Sequence, residues 1–119
     1  MLRYLFLLAA TQFAIAQPTP TARQIIEQIK KEVGVPWRAQ TVDTIKAGDP
    51  DTPITGIATT MMATHDVLVR AAAQGLNLVI THEPTFYSHQ DGVENLEKDN
   101  DAVWAAKDKF IREHKMVSR

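Results

Sequence analysis

A chain of 119 residues with 13 basic and 14 acidic side chains, a formal net charge of −1 and no cysteine has room for one small domain at most. Its nearly balanced, scattered charge offers no electrostatic footprint for nucleic acid. The lack of cysteine excludes disulfides, thiolate chemistry and cysteine-based zinc sites.

The chain opens with Arg3, an apolar run from Tyr4 to Ala10 that resumes at Phe13, and then Ala14-Ile15-Ala16. A basic start, a short apolar core and an A-x-A site form the layout of a secretory signal, with cleavage expected after Ala16. Thr11 and Gln12 interrupt the run, and it is shorter than the roughly 20 residues of a spanning helix. The sequence therefore predicts a periplasmic or secreted protein with no stable membrane anchor after cleavage. Removing 16 of 119 residues leaves 103, and the loss of Arg3 takes the formal charge from −1 to −2. Gln17-Pro18-Thr19-Pro20 reads as a linker, so one domain is expected over residues 21–119.

Thr19 or Thr21 can cap a first helix over 21–33, with Ile25, Ile26, Ile29 and Val33 as its apolar stripe and Gly34 and Pro36 as its stop. Trp37 then falls in an irregular segment and reads as a packing anchor. Thr41 to Ile45 alternates as a strand would. Gly48, Asp49, Pro50 and Asp51 form a turn, because the acidic residues lack the spacing of a calcium loop.

Residues 54–81 read as a βαβ unit. Ile54 to Thr60 suits a buried strand, Thr64 caps a helix over 65–74 with Asp66 in its first turn, and Gly75 closes it. Leu76, Leu78, Val79 and Ile80 form the second strand. A connection of this length predicts parallel strands joined by a right-handed crossover. Farther on, Asp99, Asn100 or Asp101 caps a last helix over 101–114, whose expected buried stripe is Val103, Ala106, Phe110 and Ile111. Met116 and Val117 look like the opening of another strand.

Parallel strands end on one edge, where open α/β sheets place their ligands. The second strand delivers Thr81, His82, Glu83 and Pro84 there. In a continuing strand His82 and Glu83 would face opposite ways, but Pro84 removes a ladder donor and marks a strand end, so both can lean into one cleft. Imidazole with carboxylate suits zinc, iron or manganese. Spacing alone favours a locally hydrogen-bonded His82 and a solvated Glu83. His89 and Asp91 lie near enough in sequence to approach the cleft, although a polar loop explains them too. His65 opens the crossover helix on the same edge, and His114 fits a core or capping role.

Gly56-Ile57-Ala58, Ala71-Ala72-Ala73, Gly75 and the run Leu78-Val79-Ile80-Thr81-His82-Glu83-Pro84-Thr85-Phe86-Tyr87 resemble the N-terminal half of the Nif-three-like family, the dinuclear metal-centre hexameric proteins (NGG-one-interacting factor three). The family pattern is an apolar strand, then His-His-Pro and an aromatic pair. His82 matches the first histidine, Pro84 and Phe86-Tyr87 match their counterparts, and Glu83 stands at the second histidine. The resemblance implies a three-layer α/β/α fragment and metal ligation by His82 and Glu83. By the same resemblance a complete site would hold two divalent ions and support hydrolysis, as in an enzyme like GTP cyclohydrolase I type 2, with the small-molecule substrate left open. A homo-oligomer, hexameric in the family, is also implied. The family's further ligands come from later segments, so the chain looks truncated against that pattern, and weak metal binding without turnover is expected. The alternatives are a non-catalytic interaction module that buries an open sheet edge at Met116-Val117, or an inactive fragment.

Overall fold

The structure is a computed structural model and describes residues 17–119. The expected signal, residues 1–16, lies outside the described residues. Among the described residues, four helices and three strands follow in the order α1 (Ala22–Val33), β1 (Ile57–Thr60), α2 (His65–Ala73), β2 (Leu78–Thr81), α3 (Glu94–Lys98), α4 (Ala102–Glu113) and β3 (Val117–Ser118). The strands form one parallel sheet in the order β1-β2-β3. Ile57 pairs with Leu78 and Thr60 with Thr81, so β1 and β2 end level with each other.

Helix starts follow local chemistry. The Thr21 side chain accepts from the Gln24 amide while the Gln24 side chain accepts from the Thr21 amide, a reciprocal box that satisfies two free donors of α1. Thr64 caps α2 through the Val67 amide, and Asp101 caps α4 through the Trp104 amide at 2.8 Å.

Alternation along β2 explains the layers. Val79 faces a core with Leu68 and Ala71 of α2, Ile111 of α4 and Met116. Its neighbour Leu78 faces the other way, into a core with Ala22 of α1, Ile54 and Val117. Successive strand side chains point to opposite faces. The sheet is thus covered by α2 and α4 on one side and by α1 on the other, a three-layer α/β arrangement.

Several expectations need correction. The first strand begins at Ile57 and not at Ile54, because the Ile54 amide donates to the Pro20 carbonyl and Pro53 bridges Thr21. Ile54 is buried, but by the entry to α1 and not by the ladder. Among the described residues β1 is also an edge strand, with Ile57 43% exposed. No strand forms over Thr41 to Ile45. There the Asp43 amide turns to the Thr41 hydroxyl and the Thr44 amide to the Val42 carbonyl, so the chain bonds to itself.

Just beyond that segment, Ala47 makes an antiparallel bridge to Ser118. The Lys46 amide donates to the Ser118 carbonyl and the Ser118 amide to that of Ala47. The outer side of β3, expected to be open, is therefore partly covered by residues 46–47. Gly48 makes this approach possible: its φ is +85°, and a Cβ there would sit 2.1 Å from the Met116 carbonyl oxygen.

The apolar stripes are narrower than periodicity suggests. Val33 in α1 and Val103 and Ala106 in α4 are exposed, and Ala22, Ile26 and Ile111 carry the burial. A 12-residue helix is about 18 Å long, whereas a four-residue strand offers about 13 Å, so the helix ends overhang the sheet. α3 lies in the polar stretch after Tyr87, where no helix was expected. Trp37 is half-buried, with the Lys30 ammonium 5.5 Å and the Arg119 guanidinium 5.2 Å from its ring centre, which agrees with its reading as a packing anchor.

Candidate functional site

The chain does not leave the sheet at once when β2 ends. The His82 amide donates to the Thr60 carbonyl and the Glu83 amide to that of Met61, so two more residues run alongside the continuation of β1. Within this stretch the Thr81 hydroxyl donates to the Glu83 carbonyl at 2.5 Å and closes a small turn. Pro84 has no amide to continue the ladder. The turn brings two neighbours that a regular strand would separate onto one side. His82 Nδ1 stands 3.4 Å from Glu83 Oε1, and the two side chains are 74% and 49% exposed.

The loop that follows is built differently. The Thr85, Phe86 and Tyr87 amides all donate to the Asp91 carboxylate, at 2.7, 2.7 and 2.9 Å. Asp91 is 8% exposed and has a φ of +52°, at the close of a turn in which its own amide donates to the Ser88 carbonyl. The Lys107 ammonium, from α4, donates to the Thr85 carbonyl and lies 5.6 Å from the centre of the Phe86 ring. Burial pushes the Lys107 pKa below its ordinary value, and the Asp91 charge opposes that shift. The buried Thr85 hydroxyl shares a 2.8 Å hydrogen bond with the Ser118 hydroxyl, which ties the loop to β3.

His82 and Glu83 open into a cleft of about 60 Å³, whose walls include Thr44, Lys46, His89 and Arg119. His89 therefore shares the cleft, as its position in the sequence allowed. Asp91 does not, because its carboxylate is turned inward to the loop amides. His65 and His114 are drawn to Phe110 instead: His65 meets that ring edge-on at 5.1 Å, and His114 stacks on it at 4.1 Å. A groove of about 840 Å³ between residues 45–52 and the α3–α4 region includes neither His82 nor Glu83.

Donor chemistry tests the expected metal. Two donors about 2.0–2.1 Å from one tetrahedral ion stand roughly 3.4 Å apart, which is the spacing of the His82–Glu83 pair. Among the described residues, however, no group of three or more His, Asp or Glu side chains could hold a metal ion. The pair suits a divalent ion in type and spacing and falls short in number. Sequence reasoning missed the role of Asp91. An aspartate closing a short polar loop after Pro-x-aromatic-aromatic is a usable signal for amide capping, whereas nothing in the sequence points to Lys107.

Comparison with known proteins places the fold. The sequence model of Duf34/NIF3 (NGG1p interacting factor 3) matches residues 20–110. Among solved structures, reduced HcgD from Methanocaldococcus jannaschii is 22% identical with a TM-score of 0.60, and the match covers 83% of this chain and 38% of that one. A Bacillus cereus protein related to NIF3 is 15% identical with a TM-score of 0.63, covering 86% and 27%. Staphylococcus aureus protein SA1388 is 18% identical with a TM-score of 0.61, covering 87% and 28%. The comparison with curated proteins finds no match. Identities this low speak for the fold alone, and this chain spans between 27% and 38% of the solved proteins it resembles. The family model covers most of the sequence and includes the βαβ unit with its His82-Glu83-Pro84 terminus, so the chain belongs to the Duf34/NIF3 family.

Proposed function

We propose that this chain contributes part of a divalent-metal site, with His82 and Glu83 as two of its donors. The observation that carries this reading is the 3.4 Å separation of an imidazole nitrogen and a carboxylate oxygen at the ligand edge of a parallel sheet. Zinc, iron and manganese all accept this donor pair. The remaining donors would come from a second copy or from protein outside this sequence. Bound there, a divalent ion would supply Lewis acidity and a lowered water pKa, the requirements for hydrolysis of a small-molecule substrate. Within this chain, the Thr81–Glu83 turn orients the donors, and the cleft keeps them open to solvent. With two donors alone, binding is weak and turnover is absent. Export is a separate proposal that rests on residues 1–16 of the sequence.

The experiment is a zinc titration of the purified protein against its His82→Ala and Glu83→Gln variants. Micromolar or weaker binding by the parent, lost in both variants, supports the reading. Equal binding by all three contradicts it.

A non-catalytic interaction module is the second reading, and a specific observation favours it. β1 is an edge of the sheet among the described residues, and Ile57, Met61 and Met62 are exposed along or just beyond it. An exposed apolar edge is a template for strand pairing, and a second copy of this chain fits it. Sedimentation should then show an oligomer that Ile57→Lys dissociates; a monomeric parent would contradict this.

A further inference from the structure

We propose that the pocket between α1 and residues 37–45 binds the phosphate group of a small molecule, with Arg119 and Arg38 as the residues that hold it. The pocket includes neither His82 nor Glu83, so this inference does not rest on the metal reading.

Strand alternation carries Arg119 there. The Arg119 amide donates to the Val79 carbonyl and its carbonyl accepts from the Thr81 amide, so its backbone prolongs the β3 ladder. Val117 is buried in the core on the α1 side, whereas the Ser118 hydroxyl meets Thr85. Two positions after Val117, the Arg119 side chain returns to the α1 face. Its guanidinium lies 5.2 Å from the centre of the Trp37 ring, and Nη2 donates to the Asp43 carbonyl at 3.2 Å. Among the described residues no carboxylate forms an ion pair with it. Nε is buried without an acceptor, which leaves the Nη nitrogens as the positions where an anion can dock. A half-buried cation held in place without a counter-charge calls for one.

The surrounding charges favour the same ligand. Besides Arg119, the pocket is lined by Arg23, Lys30 and Arg38, against the carboxylates of Glu27 and Asp43. Arg23 is committed to Asp51 by hydrogen bonds of 2.8 and 3.1 Å, and Lys30 to Glu27 at 2.8 Å. Asp43 accepts from the Thr41 hydroxyl at 3.0 Å. Arg38 is exposed and, like Arg119, has no ion-pair partner among the described residues. Two guanidinium groups therefore remain for one carboxylate. The volume, about 490 Å³, lies within the roughly 300–1,000 Å³ of small-molecule sites. A planar guanidinium grips oxyanions as a fork. One fork fills a carboxylate, while the three outer oxygens of a phosphate group can engage two.

Isothermal titration with inorganic phosphate, compared with acetate at the same ionic strength, tests this in the parent and in Arg119→Gln, Arg38→Gln and Arg112→Gln. The last removes an arginine that is paired with Asp108 outside the pocket, and so controls for net charge. The expected result is saturable phosphate binding by the parent, about tenfold weaker in Arg119→Gln, several-fold weaker in Arg38→Gln and unchanged in Arg112→Gln. No saturable phosphate binding by the parent, parent-like affinity in folded Arg119→Gln, an equal loss in Arg112→Gln, or acetate bound as tightly as phosphate would overturn the proposal. If Arg119→Gln fails to fold, the exposed Arg38→Gln decides. Phosphatidylcholine vesicles containing phosphatidic acid separate the sources of phosphate: binding to them without binding of free phosphate would overturn a small-molecule ligand. The zinc titration reports on His82 and Glu83 separately, so either reading can fail alone.

Discussion

Two adjacent segments at the end of β2 are held by opposite strategies. His82 and Glu83 point into solvent with one long contact between them, while residues 85–91, beginning two positions later, are stitched by three amide bonds to one carboxylate, a lysine from α4 and a hydroxyl pair with β3. A group that must meet a ligand or a partner has to remain accessible, so its own side-chain contacts cannot fix it. The order is supplied by the inward-turned bonds of the 85–91 loop next to them. The difference teaches that the accessible groups and the stability of this edge reside in different residues, and mutations should separate them.

The sharpest separation is expected at Asp91. Asp91→Ala leaves three amides without their acceptor and the half-buried Lys107 without its counter-charge, which should cost on the order of 3 kcal/mol or more in urea unfolding. A loss below about 1 kcal/mol would mean that the loop is not held as described. Thr85→Val is the next step down. It removes one partner of a buried hydroxyl pair and strands Ser118, so about 1–2 kcal/mol is expected, with Ser118→Ala added to Thr85→Val recovering part of it. At the exposed side of the comparison, His82→Ala and Glu83→Gln should change stability by no more than about 0.5 kcal/mol while abolishing metal binding. A large thermal shift in either would place them in the fold and not in the site.

The smallest effect is expected at an ion pair remote from both segments. The hydrogen-bonded Arg23 guanidinium holds the Asp51 carboxyl below its ordinary pKa of 3.8. A lowered folded-state pKa contributes stability that is present above the ordinary value and is lost as pH falls through the lowered one. Both groups are fully exposed, so solvent screening keeps the contribution slight. Asp51→Asn should therefore unfold slightly more easily than the parent at neutral pH and indistinguishably from it in strong acid. A difference that persists in acid would mean the pair acts through something other than charge.

Much of this architecture is legible in the sequence because it is local. The caps at Thr21, Thr64 and Asp101 are short-range hydrogen bonds, and the βαβ pairing follows from two apolar runs joined by one helix. The convergence of His82 and Glu83 is legible for the same reason, since Pro84 ends the strand beside them. What was hidden depends on contacts distant in sequence. Lys107 reaches Thr85 across 22 residues, and Ala47 reaches Ser118 across 71. The strand expected over Thr41 to Ile45 failed because local turns satisfied its amides first. Apolar periodicity misled at Val33 and Val103, where it marks a helix face but not how far the short sheet extends beneath it.

The central claim is that His82 and Glu83 bind a divalent ion. Elemental analysis after equilibrium dialysis of the protein against zinc, beside its His82→Ala variant, tests it most directly. The account predicts zinc in excess of the dialysis buffer on the parent and none on the variant. Equal zinc content in the two proteins, or no excess over the buffer in either, would contradict it.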